Sequence, residues 1–309
     1  MGDVQGRNNV LNKAQKCTID DFKRQFPDDD ACLDYIMEKR HPGRVATCEK
    51  CNAKRKHYRI AGRKVYSCDH CGSHISPLAG TIFEKSSTPL HLWFHAMFQM
   101  GSTKCGISAK QIQRETGVTY KTAWRMFKQI RSLMSEEISL EGSTVEMDET
   151  YYGGRVRGKG RGPQLENKTA IVGMAERKGR VVARTVDKVN RKNLMGLVKE
   201  YVLPNTTIYT DELAAYRAIP WLADKKGKAF YEHRRIHHSS NVYVMGDVHT
   251  NTIEGFWSLI KRGIGGTHHS VSQKFLQSYL DEYAFRYNRR DVPEPMFKLI
   301  LEKVCERAK

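Results

Sequence analysis

The sequence predicts an α/β domain in its second half, preceded by a small metal-stapled unit and an all-α segment. Three observations carry this prediction. Four of the eight cysteines form two Cys-x-x-Cys pairs, Cys48/Cys51 and Cys68/Cys71, with sixteen residues between them. Helical periodicity runs from residue 88 to residue 140. After Gly142 it gives way to runs rich in Val, Ile, Thr and Tyr with helical stretches between them, the alternation of an α/β layer architecture.

The first segment, residues 1–43, reads as short helices. Thr18 precedes Asp21 by three residues, the spacing of a capping box, and Asp28 to Asp30 place negative charge at a second helix start. Met1 to Val10 is polar, so no secretory signal is expected. Residues 44–80 hold the cysteine pairs among strand-like pieces such as HYRI and KVYSC. Two such knuckles joined by a hairpin bring four thiolates, Cys48, Cys51, Cys68 and Cys71, to one tetrahedral Zn²⁺. His57, His70 and His74 are close enough in sequence to replace a ligand, but four cysteines already close the site. A closed site is structural, and its binding free energy folds a unit too small to fold alone.

Residues 88–140 read as helices, with Thr88 expected to cap and Pro89 to occupy the first helical position. Within them, ISAKQIQRETGVTYKTAWRMFKQIRSLM (107–134) has the marks of a helix-turn-helix. Ser108 and Gln111 match a capping box, Gly117 allows a tight turn and Thr119 can cap the second helix. Ala123, Phe127, Ile130 and Met134 form one apolar stripe. Tyr120, Lys121, Arg125 and Lys128 fall on other faces, where they could meet phosphates and base edges. The alternative is an ordinary helical hairpin with a solvated basic face.

Composition narrows the partner. The chain has 309 residues with 52 Lys+Arg against 34 Asp+Glu, a net charge of +18 and a pI near 9.5. Such an excess favours a polyanion, since each neutralised phosphate releases counterions. No apolar run approaches the ~20 residues that span a bilayer, so no membrane partner is expected. Cys17, Cys32, Cys105 and Cys305 are scattered, which fits a reducing compartment better than a disulfide framework.

Three acids stand out by context. Asp148 lies in the strand-like VEMDET, Asp211 ends the strand-like TTIYTDE, and Glu254 lies near the start of a helix in NTIEGFWSLIKR. Converging carboxylates can hold two Mg²⁺ or Mn²⁺ ions and serve phosphoryl transfer. Lys261, seven residues after Glu254, shares its helix face. Each acid also has a plainer reading, as a solvated residue at a strand end. Asn251 and Glu254 match a capping box in which Glu254 would serve only the backbone. The loop RVRGKGR, with Arg155, Arg157, Lys159 and Arg161, either grips DNA beside Asp148 or is a solvated loop.

From about Phe22 to Arg290 the chain resembles the bacterial insertion-sequence transposases with an N-terminal zinc ribbon, the ISXO2-like relatives of the eukaryotic Merlin elements. FPDDDACLDYI resembles the opening of that family and GVTYKTAWRM its helix-turn-helix. MDETYYGG, IYTDE and VHTNTIEGFWSLIKRGIGG resemble its three catalytic blocks, and LDEYAFRYNRR its closing helix. The resemblance implies a ribonuclease-H-like catalytic domain over 141–292, followed by a tail helix over 293–309. It maps the two aspartates and the glutamate of a DDE enzyme onto Asp148, Asp211 and Glu254, and a following basic residue onto Lys261. It implies cleavage at the ends of an insertion sequence and joining of the freed 3′-OH to target DNA. Mg²⁺ or Mn²⁺ would serve catalysis and Zn²⁺ the fold. The chain would act as a homodimer or higher oligomer on DNA, beside a bacterial nucleoid in the cytoplasm, with no small-molecule substrate. Two other readings of the residues stay open: a non-catalytic zinc-ribbon and helix-turn-helix regulator, and a ribonuclease-H-like nuclease without strand transfer.

Overall fold

The computed structural model describes residues 17–153, 168–236 and 251–305. The chain divides into two compact units, one of residues 1–133 with 292–309, the other of residues 134–291. The segment after 292, read from sequence as a tail of its own, is helical at Met296–Val304 and packs on a helix of the N-terminal unit. Chain distance hid that partner.

In the N-terminal unit, α1 (Ile19–Gln25) and α2 (Asp29–Arg40) start at Thr18 and Asp28, whose side chains accept the Asp21 and Ala31 N–H groups. A four-stranded antiparallel sheet follows in the order β1 (Val45–Cys48), β2 (Ala53–Arg59), β3 (Tyr66–Cys68), β4 (His74–Ile75). Arg59 and Tyr66 tie it to α2 through Asp30 and Asp34. Next come α3 (Leu90–Ser102), α4 (Ala109–Thr116) and α5 (Tyr120–Ser132). α3 differs from expectation at its start. Pro89 sits at the cap, Thr88 makes no capping bond, and the His91 N–H is taken instead by Asp29 Oδ1 at 2.9 Å. A carboxylate from another helix thus does the work assigned to a neighbour, because a tertiary contact supplies a charged acceptor where a hydroxyl was expected.

The second unit is built on a five-stranded sheet with order β7-β6-β5-β8-β9. Here β5 is Thr144–Tyr152, β6 Thr169–Glu176, β7 Val181–Val186, β8 Thr206–Thr210 and β9 Tyr231–Arg235. The first three run antiparallel, whereas β8 lies parallel to β5, and β9 parallel to β8. One face packs on α6 (Arg191–Tyr201) and a 3₁₀ segment, Ala214–Trp221, around Val145, Met147, Val172 and Ile208. The other packs on α7 (Asn251–Gly263) and α8 (Gln273–Asn288) around Ile171, Ala183, Phe256 and Leu280. Burial on both faces explains why β6 reads AIVGMA without polar alternation.

Candidate active site

The site begins with register. β5 and β8 pair in parallel with Glu146 opposite Tyr209. Carrying that register on by two residues sets Asp211, just past the end of β8, beside Asp148. Side chains alternate along a strand, so Asp148 and Asp211 share the face covered by α7. Glu149, one residue on, leaves from the opposite face, where it accepts a hydrogen bond from the Tyr216 hydroxyl at 2.7 Å. β8 stops at Thr210, so Asp211 lies past the end of its strand. Carboxylate oxygens of Asp148, Glu149 and Asp211 lie within 4.8 Å of one another.

Charge is concentrated accordingly. Burial, then the like charges of Asp211 and Asp148, push the Glu149 carboxyl up to about 7, against the bond from Tyr216. Burial also raises Asp148, with Asp211 and Glu254 adding to it and Trp257 opposing. Tyr216, fully buried beside these carboxylates, is raised well above its ordinary value, first by burial. Asp211 is oriented by the Leu213 N–H, which donates to its Oδ1 at 3.0 Å.

The helix α7 is fastened over this site from two directions. Glu146, fully buried on β5, accepts the N–H groups of Thr252 (2.7 Å) and Ile253 (3.1 Å), the Thr252 hydroxyl (3.0 Å) and Arg177 Nε (3.2 Å). A buried carboxylate at a helix N-terminus with four donors is compensated both by hydrogen bonds and by the helix dipole. Further along, Trp257 Nε1 donates to Asp148 Oδ2 at 2.9 Å. Gly173, paired with Asp148 across β5 and β6, makes that possible. A Cβ there would lie 2.5 Å from Trp257 Cζ2 and 2.6 Å from Ile253 Cδ1.

Of the acids named from sequence, Asp148 and Asp211 come together. Glu254 is on exposed α7 surface, one turn before Trp257, close enough that its charge raises Asp148 but outside the 4.8 Å cluster. Lys261, one turn beyond Trp257, is exposed on the same helix. Asn251 is the first helical residue, and the N–H groups after it go to Glu146. Sequence reasoning missed Glu149, Glu146, Trp257 and Gly173. Only Glu149 carried a signal, as a second acid adjoining the first.

Hard carboxylate oxygens suit Mg²⁺ or Mn²⁺. An octahedron with ~2.1 Å bonds asks for oxygens roughly 3–4 Å apart, which small side-chain rotations reach from the present spacing. The four cysteines fit zinc more tightly. Cys48 and Cys71 sulfurs are 3.5 Å apart, and those of Cys51 and Cys68 3.9 Å. A tetrahedron with ~2.3 Å Zn–S bonds has edges of about 3.8 Å. The backbone N–H of Cys51 draws the Cys48 thiol down to about 6. The bond to Cys71, then burial and the other thiols, holds Cys51 up at about 12. Four thiols this close do not ionise together without a cation between them.

Residues 139–288 match the ISXO2-like transposase domain, and residues 27–74 the transposase zinc-ribbon domain. The chain belongs to the ISXO2-like transposase family. This transposase-family chain is 29% identical, over 81% of its length and 86% of the relative's, to an uncharacterized protein in the transposable element ISH50 of Halobacterium salinarum. It is 25% identical to an uncharacterized transposase-like protein of Haemophilus influenzae, over 37% of this chain and 86% of that one. A solved chain from a pre-cleavage Mos1 transpososome aligns with 63% of it at 11% identity and a TM-score of 0.26, covering 74% of the solved chain.

The helical pair of this family member is built as its caps require. Ser108 accepts the Gln111 N–H and Thr119 the Thr122 N–H, while Gly117 turns the chain in the left-handed region at φ 69°. The Gln111 side chain bonds Glu115 rather than returning to Ser108, so the capping box is half made. Ala123, Phe127, Ile130 and Met134 are buried, and Tyr120, Lys121, Arg125 and Lys128 are exposed. Arg125 reaches Ser86 Oγ (3.0 Å) and Thr88 Oγ1 (3.2 Å), and Lys110 lies over the Tyr120 ring. Arg155, Arg157, Lys159 and Arg161 lie outside the described residues. Among the described residues, no helix is long and apolar enough to cross a membrane.

Proposed function

We propose that the chain is a DDE-type transposase that cleaves DNA at the ends of its element and joins the freed 3′-OH to target DNA. The observation that carries this is the pair Asp148 and Asp211, set side by side by parallel register under a helix that presents Glu254. The sheet order, three antiparallel strands followed by two parallel ones, supports a ribonuclease-H-like catalytic domain. Asp148, Asp211 and Glu254 would hold divalent cations, Mg²⁺ or Mn²⁺, with Glu149 as a further carboxylate beside them. When bound, such ions supply charge neutralisation and an activated attacking oxygen.

The protein's own part is positioning. Trp257 fixes the rotation of Asp148, Leu213 that of Asp211, and Glu146 the N-terminus of α7. Lys261 offers a cation to a phosphate lying along α7. In cleavage, a water oxygen bonds to phosphorus and the 3′ oxygen leaves. In joining, that 3′ oxygen bonds to a target phosphorus and a target 3′ oxygen leaves. Phosphoryl transfer of this kind needs no covalent protein intermediate. Four cysteines would hold structural Zn²⁺. α4 and α5 would act as a helix-turn-helix in which Tyr120, Lys121, Arg125 and Lys128 meet the element's ends, and Arg155, Arg157, Lys159 and Arg161 would grip DNA near Asp148. Action at two ends implies a dimer or larger assembly on DNA, beside a bacterial nucleoid.

Incubating the protein with precut element ends, a target plasmid and Mg²⁺ tests the reading. Joined product, lost with EDTA, is expected. Cleavage without joining would leave a nuclease, and binding without either a regulator.

A further inference from the structure

The zinc-bearing sheet has one face turned inward and one turned out. Ala46, Cys48, His57, Tyr66 and Cys68 are buried. The alternate residues form the other face: Val45 and Thr47 on β1 stand beside Lys56 and Lys54 on β2, and Tyr58 stands beside Ser67 on β3. Val45 is 43% and Tyr58 52% exposed. Lys54 and Lys56 are exposed, with the Lys56 ammonium 5.7 Å from the centre of the Tyr58 ring. Among the described residues, the strands themselves carry no acid on this face; one acid, Asp69, follows β3, where its N–H bonds the Lys56 carbonyl at 3.0 Å.

Charge names the occupant. Residues 42–80 hold eight Lys and Arg against Glu49 and Asp69. Arg44 and Arg59 are neutralised by Asp34 and Asp30 of α2. Lys50, Lys54, Lys56, Arg63 and Lys64 form no ion pair among the described residues. A second copy of the chain would bring this face against itself, cation to cation, under two-fold symmetry. Lys54 and Lys56 stand ~7 Å apart along one strand face, the scale on which phosphates succeed one another along DNA.

We propose that this outer sheet face is a second DNA-contacting surface, with Lys54 and Lys56 on successive phosphates of duplex DNA and Tyr58 packed against the sugar-phosphate edge beside them. The proposal rests on the reading that the chain acts on DNA, and it gives the zinc unit a recognition role besides its structural one. Contacts of this type are sequence-independent and salt-sensitive.

The test uses the full chain and a fluorescein-labelled duplex of arbitrary sequence, titrated across a range of salt concentrations. The double variant Lys54→Gln/Lys56→Gln keeps the apolar stems, and Tyr58→Ala is made separately. Zinc content and melting temperature should match the unaltered chain, because all three side chains are exposed. The double variant should lose at least tenfold in affinity at moderate salt, and its slope of log K against log salt should shrink by about 2. Tyr58→Ala should weaken binding with the slope unchanged. Undiminished duplex binding by the double variant would overturn the proposal, with or without lost binding to phosphatidylserine vesicles. So would weakened binding with an unaltered slope. Strand transfer is scored separately, so this surface can fail while the proposed reaction stands. An unaltered chain that binds no duplex would instead remove the reading beneath it.

Discussion

Gly173→Ala should damage the candidate active site from the far side of a strand pair. The backbone tolerates a Cβ, since Gly173 is not held at positive φ. Relief of unfolded-chain entropy alone would stabilise the protein by about 0.4–1 kcal/mol. The new methyl, however, lies 2.5 Å from the Trp257 ring and 2.6 Å from Ile253 Cδ1, both on a helix held at its N-terminus by Glu146. Overpacking of this kind costs about 1–3 kcal/mol, so a net loss of roughly 1–2 kcal/mol is expected. That is a fall of about 3–6 °C in melting temperature for a domain of this size. Function should suffer more than stability. If Trp257 is pushed off the sheet, its N–H leaves Asp148, and cleavage of an end-bearing duplex should drop at least tenfold while end binding stays intact. Gly196→Ala is the internal control. It lies in α6 with nothing within 4 Å of its would-be Cβ, and should stabilise by about 1 kcal/mol without touching activity. A Gly173→Ala protein that melts and cleaves like the parent would refute the reasoning, because Trp257 would then have room that the geometry denies it.

Other outcomes follow from the same contacts. Asp148→Asn, Asp211→Asn and Glu254→Gln should each abolish cleavage and joining while leaving end binding intact; an active Glu254→Gln beside a dead Glu149→Gln would make Glu149 the third ligand. Because burial and like charge raise Glu149 from 4.5 to about 7, the folded state binds protons more tightly than the unfolded. Metal-free stability should therefore fall as pH rises from 4.5 to 7, by about 1–2 kcal/mol once solvent screening is allowed for. Melting curves with and without Mg²⁺ check this: added Mg²⁺ should raise the melting temperature more at pH 8 than at pH 5, and equal shifts would count against a shared carboxylate site. Cys48→Ser or Cys68→Ser should release zinc, read by metal analysis, and unfold the four-stranded sheet. Arg125→Ala with Lys128→Ala should weaken end binding and reduce its salt dependence, and unchanged binding isotherms at several salt concentrations would remove those residues from the interface.

Much of the molecule is written locally. Caps act over three residues, so Thr18, Ser108 and Thr119 can be named before any fold is known, and the structure has each of their side chains accepting the expected backbone N–H; Asp28, read only as charge at a helix start, caps as well. Thr88 is the exception, because Asp29 arrives from α2 to take the bond. The cysteine knuckles are also local, each pair brought to one point by its own turn. Asp148 and Asp211 could be picked out because each sits in a strand-like run, a property of its immediate neighbours. What stands beside them could not. The approach of Asp211 to Asp148 depends on the register of β5 and β8, which are separated in sequence by β6, β7 and α6. Glu149 joins them from the opposite strand face, held by Tyr216, and that meeting is invisible from β5. Glu146 looks like any acid in a strand until four donors from Arg177 and α7 converge on it. Gly173 looks like a weak spot in an apolar strand until Trp257 is laid across it. Residue type and spacing determined which side chains are available for chemistry. Only tertiary structure decided which of them meet, because strand register and helix docking join residues whose separation along the chain carries no information about their separation in space.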